Sequence, residues 1–226
     1  MSKGLFLCIE GSDGTGKGTQ HELLAKHLGA EHIPTLLVDF PRYGQPSAEL
    51  IECYLHNEFG DATKLDPRLA SLPYAIDRLA ASPQITSALG QGTWVLANRF
   101  AASNMAHQGA KFSAQEKRID FFKWLARLEY DIMNIPEPDY HFILHLPAKT
   151  AQERIQHRAA QDAGRALDAH EMDVTHLERA EQTYLDLASA FPDRFGLIEC
   201  MDGERARSAE EIHEEIWHKV QERMDG

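Results

Sequence analysis

The sequence predicts an α/β fold with about five parallel strands flanked by helices, in a single domain over residues 1–226. Short strand-like runs recur along the chain, and segments long enough for one or more helices separate them, as in repeated β-α-β units. The 226 residues are 43% apolar, which is enough to bury one large core. Neither an internal repeat nor a Gly/Ser-rich linker divides the chain.

The predicted strands share a β-branched or leucine-rich composition and a length of about six residues. Because helical segments intervene, consecutive strands are expected to run parallel in one sheet. The runs lie at 5–10, 35–40, 93–98, 140–146 and 194–199.

Capping signals place the helices between these strands. Asp66 followed by Pro67 predicts a helix start, with proline at the first helical position. Ile212, Ile216 and Val220 form an apolar stripe on the last helix, which is expected to pack on the sheet. Capping-box spacing, in which a hydroxyl residue precedes a glutamate by three positions, occurs at Ser113–Glu116, Thr150–Glu153 and Ser208–Glu211.

Charge, cysteine spacing and hydropathy exclude several classes of protein. The 35 Asp and Glu residues against 23 Lys and Arg give a net charge of −12, which argues against a protein that coats nucleic acid. Cys8, Cys53 and Cys200 form no CxxC pair, so the sequence predicts neither a disulfide framework nor a zinc knuckle and suits the cytoplasm. No stretch approaches the roughly 18 apolar residues of a membrane span, and no signal peptide is predicted.

The strongest functional signal follows the first predicted strand, where Gly11-Ser12-Asp13-Gly14-Thr15-Gly16-Lys17 leads into a helix-compatible segment. Glycines allow consecutive backbone N–H groups to surround phosphate oxygens, and the helix N-terminus adds about half a positive charge. A lysine at the end of such a loop reaches the β and γ phosphates. We therefore predict that residues 11–19 bind ATP, which would serve as a phosphate donor.

This loop departs from the common pattern at one position. In the common pattern GxxxxGK[ST], a serine or threonine directly follows the lysine. Here Gly18 follows Lys17, and the hydroxyl residue, Thr19, is one position further along the chain. One residue is about 100° of rotation on a helix, which leaves the magnesium ligand open.

From this loop onward the sequence resembles the thymidylate (dTMP) kinases, a family of P-loop nucleoside monophosphate kinases. The resemblance rests on blocks that follow one another at the family's spacing. They are FLCIEGSDGTGK at 6–17, FPRYG at 40–44, YAIDR at 74–78, NRF at 98–100 with Ser103, AHQGAK at 106–111, and DAHE at 168–171 with YLDLA at 184–188.

The resemblance implies a three-layer P-loop NTPase fold with a short mobile lid, which the polar segment at about 156–171 would form. It implies Mg²⁺-dependent transfer of phosphate from ATP to dTMP, giving dTDP for dTTP synthesis. It also implies a cytoplasmic homodimer.

The family's acceptor site carries over to several positions of this chain. Arg42 and Arg99 lie at the ends of predicted strands and suit the terminal phosphate of dTMP, because a guanidinium fork matches phosphate geometry. Tyr74 and Arg78 are one helical turn apart, so that a ring could stack on the base while the guanidinium reaches its exocyclic oxygen. The other implied acceptor-site residues are Asp13 for the sugar 3′-hydroxyl, Ser103, His107 and Gln108.

Catalysis of this kind needs alignment and positive charge, since a nucleotide phosphate is already mostly dianionic at neutral pH. The expected catalytic residues are Lys17, Asp13 and Arg99, together with Arg158 and Arg165 from the predicted lid. For the last two, a solvated charged surface is the alternative.

Two departures from the family pattern concern the metal and the sugar. Asn98 replaces the family's aspartate and is, with Thr19, the candidate magnesium ligand, so weaker metal affinity is expected. His107 replaces the tyrosine that rejects ribose in the resembled enzymes, which leaves the choice among dTMP, dUMP and UMP open.

An apolar helix is the candidate dimer face, although a helix buried within a monomer would show the same pattern. Its apolar residues are Phe121, Phe122, Trp124, Leu125 and Leu128. Histidines outside the resembling blocks show no metal-site spacing and are interpreted as surface and core residues.

Two other functions stay open at this point. One is a nucleotide or nucleoside kinase with a different choice of base; for a bare nucleoside, Glu10 and Asp13 could supply the carboxylate that accepts the hydroxyl proton. A P-loop switch protein would bind ATP without an acceptor, but it would not need Arg42, Arg78 and Arg99.

Overall fold

A computed structural model describes residues 3–161 and 174–224. Its centre is a sheet of five strands: Phe6–Gly11 (β1), Thr35–Asp39 (β2), Trp94–Asn98 (β3), Tyr140–His145 (β4) and Phe195–Glu199 (β5). The strand order is β2-β3-β1-β4-β5, and every neighbouring pair is parallel. This confirms the α/β class and the predicted strands.

Helices cover both faces of the sheet. They are Lys17–Ala30 (α1), Glu49–Leu55 (α2), Pro67–Gly90 (α3), Ala101–Gly109 (α4), Gln115–Ala126 (α5), Ala148–Gln161 (α6), Val174–Ala190 (α7) and Ala209–Met224 (α8). A 3₁₀ turn at Pro46–Ala48 precedes α2, and a π-helical segment at Arg127–Ile132 continues α5. A short antiparallel ribbon, which the sequence did not predict, joins Met201–Asp202 (β6) to Arg205–Ala206 (β7).

The two-residue period of β1 divides the core into two layers. Phe6 and Cys8 belong to the cluster formed with α3, α4, α5 and α7, whereas Leu7 and Ile9 belong to the cluster formed with α1 and α8. The predicted stripe on α8 is buried in the second cluster.

Two predicted helix starts are confirmed. The Asp66 carboxylate accepts a hydrogen bond from the Arg68 N–H at 2.8 Å and caps α3. Ser208 and Glu211 form the predicted capping box at the start of α8.

The other two segments are helical, as predicted, but each helix begins at a different residue from the one that its capping-box spacing indicates. Thr150 lies inside α6, which begins at Ala148 because Glu181 of α7 accepts the Ala148 N–H at 2.8 Å. Helix α5 begins at Gln115 without a side-chain cap, while Arg118 donates to the Ser113 carbonyl oxygen. At α6 a side chain from another helix therefore replaces the local capping pattern.

Three residues of the candidate dimer face on α5 follow the alternative, a helix buried within the monomer. Phe121, Phe122 and Leu125 are at most 1% exposed and pack in the chain's own core. Within the two described ranges, no helix is both long and apolar enough to cross a bilayer.

Candidate active site

The loop between β1 and α1 has the backbone of a phosphate-binding loop. Gly11, Gly14 and Gly16 have φ angles of 140°, 81° and 96°, which other residues rarely adopt. A Cβ atom on Gly11 would lie 2.6 Å from the Leu144 carbonyl oxygen, and one on Gly14 would lie 2.5 Å from that of Ala151. The loop therefore packs against β4 and α6 too closely for side chains at these two positions.

Lys17 is the first residue of α1, and its ammonium group lies within the loop. Its Nζ donates to the Ser12 carbonyl oxygen at 2.8 Å and is 3.7 Å from the Asp13 carboxylate. Burial, aided by the charge of Arg99, lowers the pKa of Lys17 to about 7. The loop thus holds a desolvated lysine that an anion would keep charged.

An ion pair joins this loop to the end of β3. The Arg99 guanidinium donates to the Asp13 carboxylate through Nη2 and to the Ser103 hydroxyl through Nη1 at 3.0 Å. Burial alone would raise the pKa of Asp13, but the charges of Arg99 and Lys17 outweigh burial and hold it well below its usual range. Both members of the pair are therefore charged at neutral pH.

A buried carboxylate holds the turn that carries Arg99. Glu10 accepts hydrogen bonds from the Phe100 N–H at 2.8 Å and from the Ser103 hydroxyl at 2.7 Å. Arg99 itself has a φ of 65°, an uncommon conformation for a residue with a side chain. Glu10 therefore positions the arginine without contributing to the cavity wall.

A cavity of about 490 Å³ opens beside this ion pair at the carboxyl end of the sheet, where open α/β sheets bind ligands. It brings together most of the predicted acceptor residues. Those that line it are Asp13, Tyr74, Arg78, Arg99, Ser103, His107 and Gln108.

One end of the cavity contains the guanidinium of Arg78 and the amide of Asn104. Arg78 is buried and donates through Nε and Nη2 to Glu129, both at 2.6 Å. Asn104 donates through Nδ2 to the Ser71 carbonyl oxygen at 3.1 Å, while its buried Oδ1 has no hydrogen-bond partner among the described residues. Tyr74 packs edge-on against Tyr54, with ring centroids 6.1 Å apart.

Arg42 has a different position from the other predicted residues. Its Nε donates to the Asp77 carboxylate at 3.0 Å, and its Nη2 donates to the Ser47 hydroxyl at 2.8 Å. It is absent from the cavity wall, to which its neighbours Pro41 and Tyr43 contribute. In this structure Arg42 fastens the end of β2 to α3.

Two histidines from different helices form one wall of the cavity. His107 Nδ1 lies 3.3 Å from His176 Nε2, and the two rings are stacked. Burial holds the pKa of His107 well below its usual value, so this ring is neutral. His176 belongs to α7, which also brings Arg179 to the cavity.

The opposite wall is tied together by polar contacts. The Tyr54 hydroxyl donates to the Gln108 Oε1 at 3.4 Å, and Lys111 Nζ donates to the Ala62 carbonyl oxygen at 2.7 Å. Burial lowers the pKa of Lys111 to about 8. The segment after α2 is thereby held against α4.

Oxygen ligands for a magnesium ion are present at the end of β2 and β3. Asn98 Nδ2 donates to the Asp39 carboxylate at 3.1 Å, and the buried Asn98 Oδ1 has no hydrogen-bond partner among the described residues. Asp39 lines the cavity. Carboxylate and amide oxygens are ligands that suit Mg²⁺. The other candidate ligand, Thr19, has an exposed side chain on α1.

The predicted lid falls mainly on residues that are not described. Residues 156–161 end α6, and Arg158 belongs to that helix, but its side chain and all of Arg165 lie outside the described part.

Sequence reasoning missed several cavity residues, among them Asp39, Tyr54, Asn104, His176 and Arg179. His176 and Arg179 are three apart on a helix, so their shared face was a usable signal. Tyr54 and Asn104 reach the cavity only through tertiary packing and had no such signal.

Comparison with known proteins shows the family to which this chain belongs. The family model for thymidylate kinase matches residues 9–216. The thymidylate kinase of Mycobacterium tuberculosis is 34% identical over 188 residues, covering 82% of this chain and 86% of that protein. The Halothermothrix orenii thymidylate kinase is 33% identical over 225 residues, covering 96% of this chain and 97% of that protein.

Solved structures agree on the fold. A structure of thymidylate kinase from Candida albicans has a TM-score of 0.72 at 21% identity, covering 99% of this chain and 94% of that chain. A crystal structure of thymidylate kinase from Ehrlichia chaffeensis has a TM-score of 0.66 at 22% identity, covering 96% and 99%.

Proposed function

Because this chain belongs to the thymidylate kinase family, we propose that it transfers the γ-phosphate of ATP to the 5′-phosphate of dTMP, forming dTDP. One observation carries the assignment of the site: the Asp13–Arg99 ion pair joins the phosphate loop to the cavity. A donor held by the loop and an acceptor held in the cavity would meet at this pair.

The donor site consists of the loop residues Gly11, Ser12, Asp13, Gly14, Thr15, Gly16, Lys17, Gly18 and Thr19. Backbone N–H groups and the N-terminus of α1 bind the ATP phosphates. Lys17 neutralises charge on the β and γ phosphates, and the bound anion raises the pKa of the lysine again.

The acceptor site begins at the transfer point. Arg99 binds the 5′-phosphate of dTMP, and Asp13 accepts a hydrogen bond from the sugar 3′-hydroxyl. An oxygen of the acceptor phosphate attacks the γ-phosphorus, the bond to the β-phosphate oxygen breaks, and ADP leaves. No general base takes part, because that phosphate is already mostly dianionic.

The far end of the cavity suits thymine or uracil. Arg78 donates to an exocyclic oxygen of the base, and the unused Oδ1 of Asn104 accepts its N3–H. Cytosine presents an acceptor at N3 and an amino group, and would be rejected. Tyr74 contacts the base, while Ser103, His107 and Gln108 complete the wall.

Further arginines act around the two bound nucleotides. Arg42 acts near the acceptor phosphate through its hold on α3, and a direct contact would require it to leave Asp77. Arg158 and Arg165 of the lid at about 156–171 neutralise charge on the transferred group, and Arg179 enters from α7. The lid and the core would act as one kinase domain over residues 1–226.

Magnesium would be held by Asp39 and by the free Oδ1 of Asn98, while the exposed Thr19 is a poorer ligand. When bound, the ion neutralises and orients the phosphates of ATP. Asn98 would supply a neutral oxygen in place of a carboxylate. Of these two residues, only Asp39 would offset the positive charge of the ion.

The dimer and the compartment complete the proposal. An exposed apolar face on α3 carries Leu69, Ile76 and Leu79, and we assign the homodimer to this face. We place the protein in the cytoplasm, where dTMP and ATP are available.

The function is tested by an acceptor panel with purified protein, ATP and Mg²⁺. We expect diphosphate formation from dTMP and dUMP, and little from dCMP. The rate with UMP reports whether His107 and His176 distinguish deoxyribose from ribose. Phosphorylation of thymidine without that of dTMP would indicate a nucleoside kinase, and ADP release independent of any acceptor would indicate a switch protein.

A further inference from the structure

Three buried side chains with metal-binding atoms meet on β1 and β4, next to the turn that carries Arg99. Cys8 and Glu10 are two residues apart on β1 and share one face of the sheet. His141 of β4 is paired in register with Cys8. The ligand atoms of all three lie within 4.8 Å of one another, and no other such group of three occurs among residues 3–161 and 174–224.

His141 supplies an independent observation at this cluster. Its side chain is only 3% exposed, yet Nδ1 has no hydrogen-bond partner among the described residues. That nitrogen lies 3.4 Å from Glu10 Oε1, and the ring is held by stacking on Phe195 at 4.6 Å. A buried polar atom without a hydrogen-bond partner destabilises the fold, so this nitrogen is suited to a ligand that the protein itself does not supply.

We propose that Cys8, Glu10 and His141 bind one divalent d-block cation of the zinc type. Thiolate sulfur, imidazole nitrogen and carboxylate oxygen are the usual zinc ligands, whereas Mg²⁺ prefers oxygen. Bonds of about 2.0–2.3 Å at tetrahedral angles place ligand atoms about 3.5 Å apart, so a modest contraction closes the cluster.

The charges of such a centre balance. A thiolate and a carboxylate contribute two negative charges, which offset the two positive charges of the ion, and the imidazole is neutral. A neutral centre avoids most of the penalty for burying charge. In the metal-free protein, burial and the neighbouring Glu10 hold the pKa of Cys8 well above its usual value. Binding therefore releases the thiol proton and tightens as the pH rises.

A second cavity reaches this cluster at His141. It has a volume of about 360 Å³ and lies on the side of the sheet where α5 and α7 pack. His141, Tyr130, Glu137 and Phe195 are among its lining residues. An ion could enter there without passing through the nucleotide cavity.

The test titrates Co²⁺ into the full-length protein after a chelator has removed metals, without nucleotide. We expect one equivalent to bind, with the thiolate-to-cobalt charge-transfer band and the visible bands of a tetrahedral site, and Zn²⁺ to displace it. X-ray absorption of the Zn²⁺-loaded protein should show one sulfur at about 2.3 Å beside nitrogen and oxygen ligands at about 2.0–2.1 Å. This second measurement needs no variant.

Matched variants identify the ligands. Cys8→Ser should abolish the charge-transfer band, and His141→Thr should weaken Co²⁺ binding at least about tenfold. Cys200→Ser changes the other buried thiol, and His145→Gln changes a histidine flanked by two carboxylates; both should leave the band unchanged. The proposal is overturned if wild-type protein binds neither ion, if bound zinc has no sulfur ligand, or if the band survives Cys8→Ser.

Discussion

Burial of the Lys17 ammonium group prepares the loop to bind phosphate but destabilises the folded protein. The pKa of Lys17 is about 7 in the folded protein against 10.5 as the ordinary value, so between these limits the unfolded chain binds more protons. The cost of burying this lysine is therefore full below about pH 7 and fades as the pH rises toward 10.5. The Ser12 carbonyl oxygen that it contacts also accepts the Thr15 hydroxyl at 2.9 Å.

We predict that Lys17→Met abolishes kinase activity and raises the melting temperature of the ligand-free protein at pH 7, with a gain that shrinks toward pH 10. Differential scanning calorimetry across this pH range measures the effect. Lys26→Met, an exposed position on the same helix, is the control and should change neither property. A lower melting temperature for Lys17→Met at pH 7 would contradict the prediction.

Asn98 carries the residue-scale prediction about the metal. Asn98→Asp places a second carboxylate beside Asp39, so Mg²⁺ should bind more tightly and the concentration for half-maximal rate should fall. The readout is a Mg²⁺ titration of the dTMP-dependent rate at fixed ATP. If the half-maximal concentration is unchanged or rises, Asn98 does not contribute to the metal environment.

Individual residues were predictable from sequence where local chemistry dictated them. Lys17, Asp13 and the glycines follow from what a phosphate loop requires. The partner of Arg42 did not follow, because Asp77 is 35 positions away on another element. The metal-type cluster was hidden for the same reason, since Cys8 and His141 meet only across neighbouring strands.

At the scale of elements, His145 links β4, β5 and α7. It lies 2.9 Å from Glu181 of α7 and 2.7 Å from Glu199 of β5. Glu181 also caps α6, so a single contact set positions the helices on both sides of residues 162–173. Hydrogen bonding to Glu181, with Glu199 adding to it, raises the pKa of His145 from 6.5 to about 9.

Because the folded pKa is raised, the stabilisation is complete below about pH 6.5 and is lost as the pH rises through about 9. We predict that His145→Gln lowers the melting temperature by about 3 °C at pH 6, corresponding to about 1 kcal/mol for a partly exposed pair, and has no effect at pH 10. His218→Gln, which removes an exposed pair with Glu222, should show no loss. An equal loss for His145→Gln at both pH values would indicate a packing effect instead.

The elements themselves were partly predictable. Strand periodicity and the Asp66–Pro67 signal are local and were sufficient for the sheet and for α3. The start of α6 depends on Glu181, which is 33 positions away on another helix. Local patterns contain no information about such contacts.

At the scale of the whole molecule, an acidic chain gathers several of its cations around one cavity. Arg78, Arg99, Lys111 and Arg179 all line it, although the net charge is −12. Handling of two anionic nucleotides thus depends on local positive potential.

The assembly is a second whole-molecule prediction. The apolar face of α3 should bury itself in a homodimer, so the protein should have twice its chain mass in solution. Ile76→Asp places a charge in this face and should give a monomer by light scattering. Ile132→Asp alters an equally apolar exposed residue elsewhere and should remain dimeric. A monomeric wild-type protein would exclude this interface.

The most direct test compares dTDP formation by the wild-type protein and Arg99→Met at saturating ATP. The Asp13–Arg99 pair is the proposed point of transfer, so kcat should fall about 100-fold or more, as when a preorganised charge is removed from a transition state. Circular dichroism should show an intact fold, because Glu10 still holds the turn through Phe100 and Ser103. A folded Arg99→Met protein that turns over dTMP within threefold of the wild-type rate would show that transfer occurs elsewhere.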